Sequence, residues 1–129
     1  MISIQNQDKT ILIVEDNERN MKLAVDLLEL AGFNIIKAID GETALEILKT
    51  QGRRPDLVLL DIGLPGISGE DVYQQIRANP GISSMKIAAV SASVMKHEKE
   101  KMLQVGFDAF IAKPIDTVNF IKEIEALTK

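Results

Sequence analysis

Three carboxylates, a hydroxyl and an ammonium stand out because each directly follows a short apolar run. Glu15 and Asp16 follow residues 11–14 (ILIV), Asp61 follows 57–60 (LVLL), and Ser91 follows 87–90 (IAAV). Lys113, with Pro114 behind it, follows 107–112 (FDAFIA). Brought together, the three acids repel one another unless a proton or a cation intervenes. Lys113 offsets one charge, and a hard divalent ion offsets two more. Mg²⁺ suits such a site, because it prefers oxygen ligands and keeps several waters beside one or two carboxylates. A site of this kind holds a metal and accepts an anion facing it. Phosphoryl transfer asks for little beyond that positioning and charge neutralisation. The rival nucleotide chemistries lack their residues. The turn after the first run reads Glu-Asp-Asn, where a dinucleotide site needs a glycine-rich loop. A flavin-phosphate site fails on the same loop, and there is no P-loop.

These side chains meet only if the runs are strands ending at one edge of a sheet. Uninterrupted apolar runs of this length suit strands covered on both faces, as in a parallel sheet. Residues 33–38 and 107–112 are weaker members of the set; the former ends at Ala38 and brings nothing reactive. Between the runs the apolar residues take helical spacing. Met21, Ala24, Leu28 and Ala31 share one side of a segment that Asn17 opens and Gly32 closes. Asp40 caps a segment carrying Ala44, Leu45 and Leu48, and Ser68 or Gly69 precedes one carrying Val72 and Ile76. Met95, Met102 and Leu103 mark a fourth, stopped at Gly106. Asp116 or Thr117 opens the last, with Phe120, Ile121, Ile124 and Leu127 on one stripe. Five strands alternating with five helices, joined by right-handed crossovers, make a doubly wound α/β fold, (βα)₅. Ligands of such folds bind at the carboxyl ends of the strands, where strand order reverses.

Composition agrees with that plan. The chain has 129 residues, 46% of them hydrophobic and 26% charged, and no cysteine. One domain of this length buries about two-thirds of its unfolded surface. Without cysteine there is neither a disulfide framework nor a thiolate metal site. The net charge of −4 lacks the basic surplus of nucleic-acid binders, so no nucleic acid is expected as partner. No run approaches the ~18 apolar residues of a membrane span, and residues 1–10 lack the features of a secretory signal. A cytoplasmic protein without membrane insertion is expected, with residues 1–9 a flexible polar segment and 10–129 the folded domain.

From Thr10 onward the chain resembles the receiver domains of bacterial two-component response regulators. The motifs are ILIVEDN at 11–17, PDLVLLDI at 55–62, LPGISG at 64–69, VSA at 90–92 and Lys113-Pro114. Residues 20–23 and 26–29, with Met95-Lys96, are most similar to the single-domain DivK-like branch. The resemblance implies the flavodoxin-like, CheY-like fold with parallel strands in the order 2-1-3-4-5. It also implies that Asp61 is the phosphoacceptor. Asp16, Asp61 and the backbone carbonyl of Gly63 would ligate Mg²⁺, with Glu15 acting through water. Lys113, Ser91 and the backbone of Ala92 would bind the phosphoryl group. Ser91 and Phe110 would form the switch, and the Lys113–Pro114 peptide would be cis. The donor would be a histidine kinase or histidine phosphotransfer protein. With the sequence ending directly after the last helix, output would pass to a downstream protein effector through helix 4, strand 5 and helix 5.

Two positions depart from the commoner pattern. Gly63 has no side chain where many relatives place one beside the phosphate, and with Ser93 it is expected to tune hydrolysis. Phe110 lacks the hydroxyl of the commoner tyrosine. Taken singly, several of these residues have plainer meanings. Asp61 could cap a turn, Ser91 could sit in one, and Phe110 could be core. Met95 and Met102 read as filler, and His97, without metal-ligand company, as inert surface. Their joint placement is what favours phosphoryl chemistry. Two rival functions are an Mg²⁺-dependent phosphatase with Asp61 as nucleophile and a phosphorylation-independent scaffold. The first commonly needs a second acid two residues on, where Gly63 stands; the second leaves Asp16, Asp61, Ser91 and Lys113 unexplained.

Overall fold

A computed structural model describes residues 6–92 and 96–129. Five strands alternate with five helices: β1 (Thr10–Val14), α1 (Glu18–Leu30), β2 (Asn34–Ala38), α2 (Gly41–Leu45), β3 (Leu57–Asp61), α3 (Gly69–Ala78), β4 (Ile87–Ser91), α4 (Lys96–Val105), β5 (Ala109–Ala112) and α5 (Phe120–Leu127). α2 widens at once into a π-helical turn over Glu46–Thr50. All strand pairings are parallel, in the order β2-β1-β3-β4-β5. The expected doubly wound fold and strand order are both present.

The sheet separates two apolar layers. Side chains alternate along each strand, so Leu12, Val14, Val58 and Leu60 face α2, α3 and α4. Ile11, Ile13, Leu57 and Leu59 face α1 and α5. Every residue of β3 is buried, as befits the middle of a parallel sheet. Each fully buried Leu, Ile or Val contributes about 1.5–3 kcal/mol of burial energy, and Leu12, Leu28, Leu60, Ile76 and Ile124 are all closed off.

The caps fix where the helices begin. Asn17 accepts the amide of Asn20, Asp40 that of Thr43, and Ser68 that of Asp71, each satisfying an amide of the first turn. Gly32, at φ 102°, follows the last turn of α1 as expected of a terminating glycine. Gly69 meets a tighter demand: a Cβ there would collide with the carbonyl of Asp61 and with Ile62. Only glycine lets α3 start against the end of β3.

Several local expectations change. The last helix opens at Phe120, not at Asp116 or Thr117. The Asp116 carboxylate accepts the amides of Val118 and Asn119 and the side chain of Asn119, which stabilises a turn ahead of the helix. Leu103 is 42% exposed rather than core, because Met102 supplies the buried position of α4. β5 omits Phe107, which stacks on Tyr73 with ring centroids 4.1 Å apart. Of residues 1–9, positions 6–9 are described. There the Asn6 amide donates to the Ala31 carbonyl at 2.8 Å and to Glu125 at 2.9 Å. Ser93 and Met95 lie outside the described residues, as does the side chain of His97.

Candidate functional site

Strand register brings the reactive residues level. Val14 pairs with Leu60, Asp61 with Val90, and Ser91 with Ala112, so the residues ending β1, β3, β4 and β5 emerge along one edge. Glu15 and Asp16 leave β1 there, and the Glu15 amide still donates to the Ala38 carbonyl of β2 at 3.0 Å. One carboxylate oxygen from each of Glu15, Asp16 and Asp61 lies within 4.8 Å of the others. Glu15 and Asp61 are buried, and Asp16 is exposed.

Lys113 bridges the two buried acids. Its Nζ lies 2.7 Å from Glu15 Oε1 and 3.1 Å from Asp61 Oδ2. Both carboxylates have a second donor. Asp61 Oδ1 accepts the amide of Gly63 at 2.9 Å, and Glu15 Oε2 accepts that of Asn17 at 3.2 Å. The Asp61 carboxylate is thus held at both oxygens and its plane is set. Burial pushes the Glu15 carboxyl above its ordinary value. Lys113 and the Asn17 amide oppose that push, while the neighbouring Asp61 adds to it. Burial would lower the Lys113 ammonium, but its bonds to Glu15 and Asp61 outweigh burial and leave it raised. Two acids therefore share one cation, and the surplus negative charge faces the solvent opening beside Asp16.

The remaining predicted residues line the same edge. Ser91 ends β4 half-buried, and Ala92 follows it exposed. Phe110 lies half-buried on β5 and packs against the layer of α2, α3 and α4. Ile62, Glu70, Ser91, Met102 and Phe110 surround a cavity of about 360 Å³ beside the acids. The Lys113–Pro114 peptide is cis. Gly63 is exposed in the turn after Asp61, its backbone next to that carboxylate.

Two contacts had no sign in the sequence. The direct Lys113–Glu15 pair joins residues that motif reading assigns to separate tasks. Glu42, in the first turn of α2, accepts the amide of Ile67 at 3.3 Å and so tethers the loop behind Asp61. Nothing in the spacing of residues 42 and 67 signals that contact; only the packing of α2 beside α3 creates it.

The family model described as the response regulator receiver domain matches residues 11–125. The chain belongs to that family. This receiver domain is 40% identical, over 118 residues, to the polar-differentiation response regulator DivK of Brucella anthropi, covering 92% of this chain and 94% of the relative. Among solved structures it resembles a response regulator from Desulfuromonas acetoxidans, with TM-score 0.82, 25% identity, and 92% and 95% of the two chains covered. It also resembles the receiver domain of a sensor histidine kinase from Pseudomonas aeruginosa PAO1, with TM-score 0.81, 27% identity, and 93% and 97% covered. That Pseudomonas domain has a magnesium ion coordinated in its active-site cleft. The chain is thus a two-component signalling receiver domain with DivK-like relatives. No helix among the described residues is long and apolar enough to cross a membrane.

Proposed function

We propose that this receiver domain takes a phosphoryl group onto Asp61 from a phosphohistidine donor and passes the change to a protein partner. The observation carrying this is the trio of carboxylates gathered at the mouth of the sheet, two of them held by Lys113. Two oxygens on opposite sides of one Mg²⁺ stand about 4.2 Å apart. Acids already within 4.8 Å of one another close onto such an ion with small side-chain movements. Asp16 and Asp61 would hold it, with the carbonyl of Gly63 as the third protein ligand and Glu15 acting through water. When bound, the ion neutralises the acids and attracts the oxygens of the incoming phosphoryl group.

The chain's own residues do the rest. With Lys113 and the Gly63 amide fixing its plane, an Asp61 oxygen attacks phosphorus as the bond to the donor histidine nitrogen breaks. That nitrogen leaves with the bonding pair, and an acyl phosphate forms. Lys113 then exchanges an Asp61 oxygen for a phosphoryl oxygen, while Ser91 and the backbone of Ala92 take up the others. Ser91 moving inward opens the cavity it shares with Phe110, and the ring turns in. The surface of α4, β5 and α5 changes accordingly. The domain catalyses only its own phosphorylation and dephosphorylation. Its donor is a histidine kinase or histidine phosphotransfer protein, and its effector is a protein that reads the changed surface.

Intact-mass measurement after acetyl phosphate treatment tests this. One phosphoryl group is expected with Mg²⁺, none with EDTA, and none on Asp61→Asn at unchanged circular dichroism. A normally labelled Asp61→Asn protein would place the acceptor elsewhere.

A further inference from the structure

The end of the sheet opposite Asp61 carries a second cleft, about 340 Å³ in volume, with a cationic rim. Lys9 and Lys86 precede β1 and β4, Arg54 lies just ahead of β3, and Lys129 follows α5. The chain as a whole is acidic, with 19 acidic against 15 basic residues, yet this cleft is lined by four cationic side chains and one acidic side chain, Asp56. Asp56 is itself occupied, accepting the Thr10 amide at 2.7 Å.

Two of the cations are held in place by the fold. Arg54 donates one guanidinium nitrogen to the carbonyls of Leu48 and Arg53, while its other terminal nitrogen lies toward Gly81 across the cleft. Lys86 donates to the Leu127 carbonyl at 2.8 Å, which uses one of its three protons. Anchored cations lose little freedom when they bind an anion, so their interaction is weakened less by ordering. Between them the lining is mixed: buried Pro55 and Ile82 and half-buried Met85 and Leu127 supply its apolar part, beside Ser84 and Thr128.

We propose that this cleft docks a partner protein through a short acidic segment carrying an apolar residue among its carboxylates. An apolar side chain would cover Ile82, Met85 and Leu127 while the flanking acids pair with the cations, the arrangement of a hydrophobic centre and polar surround found in protein interfaces. A nucleic-acid strand fits less well, because no aromatic side chain lines the cleft to stack a base. The strands between the two ends are mostly five residues long, about 16 Å. The Asp61 mouth therefore stays open to a phosphodonor while this cleft is filled, and the contact does not depend on phosphorylation.

A peptide of four glutamates flanking a central leucine tests the proposal by amide chemical-shift titration of the whole chain. Shifts are expected around residues 54–56, 81–86 and 127–129, weakening as salt rises. Lys9→Glu/Lys129→Glu, two side chains with no bond to the fold, should weaken binding about tenfold or more by reversing two charges. Lys122→Glu, on the exposed side of α5, should leave it unchanged. Adding Mg²⁺ with beryllofluoride should not alter the affinity. Equal binding by the double variant, shifts centred on Asp61, or tighter binding of oligonucleotide or anionic vesicles than of the peptide would each overturn the proposal.

Discussion

Lys113→Met isolates the electrostatics of the sheet mouth. In the wild type, Lys113 makes charged hydrogen bonds of 2.7 Å to Glu15 and 3.1 Å to Asp61, whose side chains are both only 7% exposed. Each such bond is worth about 1.5–3 kcal/mol. The mouth opens to water beside Asp16, so the lower end applies, giving a loss of about 3 kcal/mol. For a chain of this length that corresponds to a fall in Tm of about 10–15 °C. The pH profile carries the same signature. Glu15 is raised in the folded protein, so its contribution favours the fold below its unfolded pKa and is lost as pH rises through the folded value. Lys113 is raised as well, so its contribution is complete below its unfolded pKa and fades as pH climbs through the folded value. The variant's deficit is therefore largest near neutrality and shrinks in acid, where Glu15 takes up a proton. Scanning calorimetry across that range, with and without Mg²⁺, checks both features. The ion should restore more stability to the variant than to the wild type, since it replaces a missing positive charge and no longer meets a repelling one. A variant that melts within ~3 °C of wild type at neutral pH, or that responds to Mg²⁺ no more than wild type, would refute the reasoning.

Other outcomes follow from the same geometry. Mg²⁺ affinity, measured by calorimetric titration, should fall on acidification, because Glu15, raised above its ordinary value by burial, takes up a proton and withdraws its charge from the cluster. Gly106→Ala should cost about 2–3 kcal/mol in denaturant unfolding: its φ of +123° suits glycine, and the new methyl would strike the Tyr73 hydroxyl. Glu42→Gln keeps an oxygen for the Ile67 amide and should match wild type in acetyl phosphate uptake, whereas Glu42→Ala should be slower by a few-fold.

The parts of the fold legible in the sequence are those set by local chemistry. Residues 11–14, 57–60 and 87–90 are continuous apolar runs because both faces of their strands are covered, and all of them are buried. Asn17, Asp40 and Ser68 cap their helices from one position away, a relation visible in any short window. The gathering of Glu15, Asp16, Asp61 and Lys113 followed from strand ends alone, since a parallel sheet aligns them. What escaped was set by contacts between distant segments or by competition at a terminus. Asp116 satisfies a turn before it can satisfy a helix. Leu103 looks apolar enough for the core, but the turn of α4 that faces inward belongs to Met102. The anchoring of Asn6 on Ala31 and Glu125 spans the two ends of the chain, and no periodicity reports such a contact.

The fastening of Tyr73 has a mechanical consequence. Its hydroxyl donates to the Val105 carbonyl at 3.1 Å, its ring stacks on Phe107, and the Arg77 guanidinium lies over the ring while reaching Asp108. The carboxyl-terminal end of α4 is thereby bolted to α3. A helix of ten residues fixed at one end behaves as a lever about 15 Å long. A tilt of about 10° would carry its far end through about 2.6 Å while the hinge stays still. Tyr73→Phe would remove the hydroxyl's hold on Val105 and leave the ring's stack on Phe107 as the remaining fastening of that end.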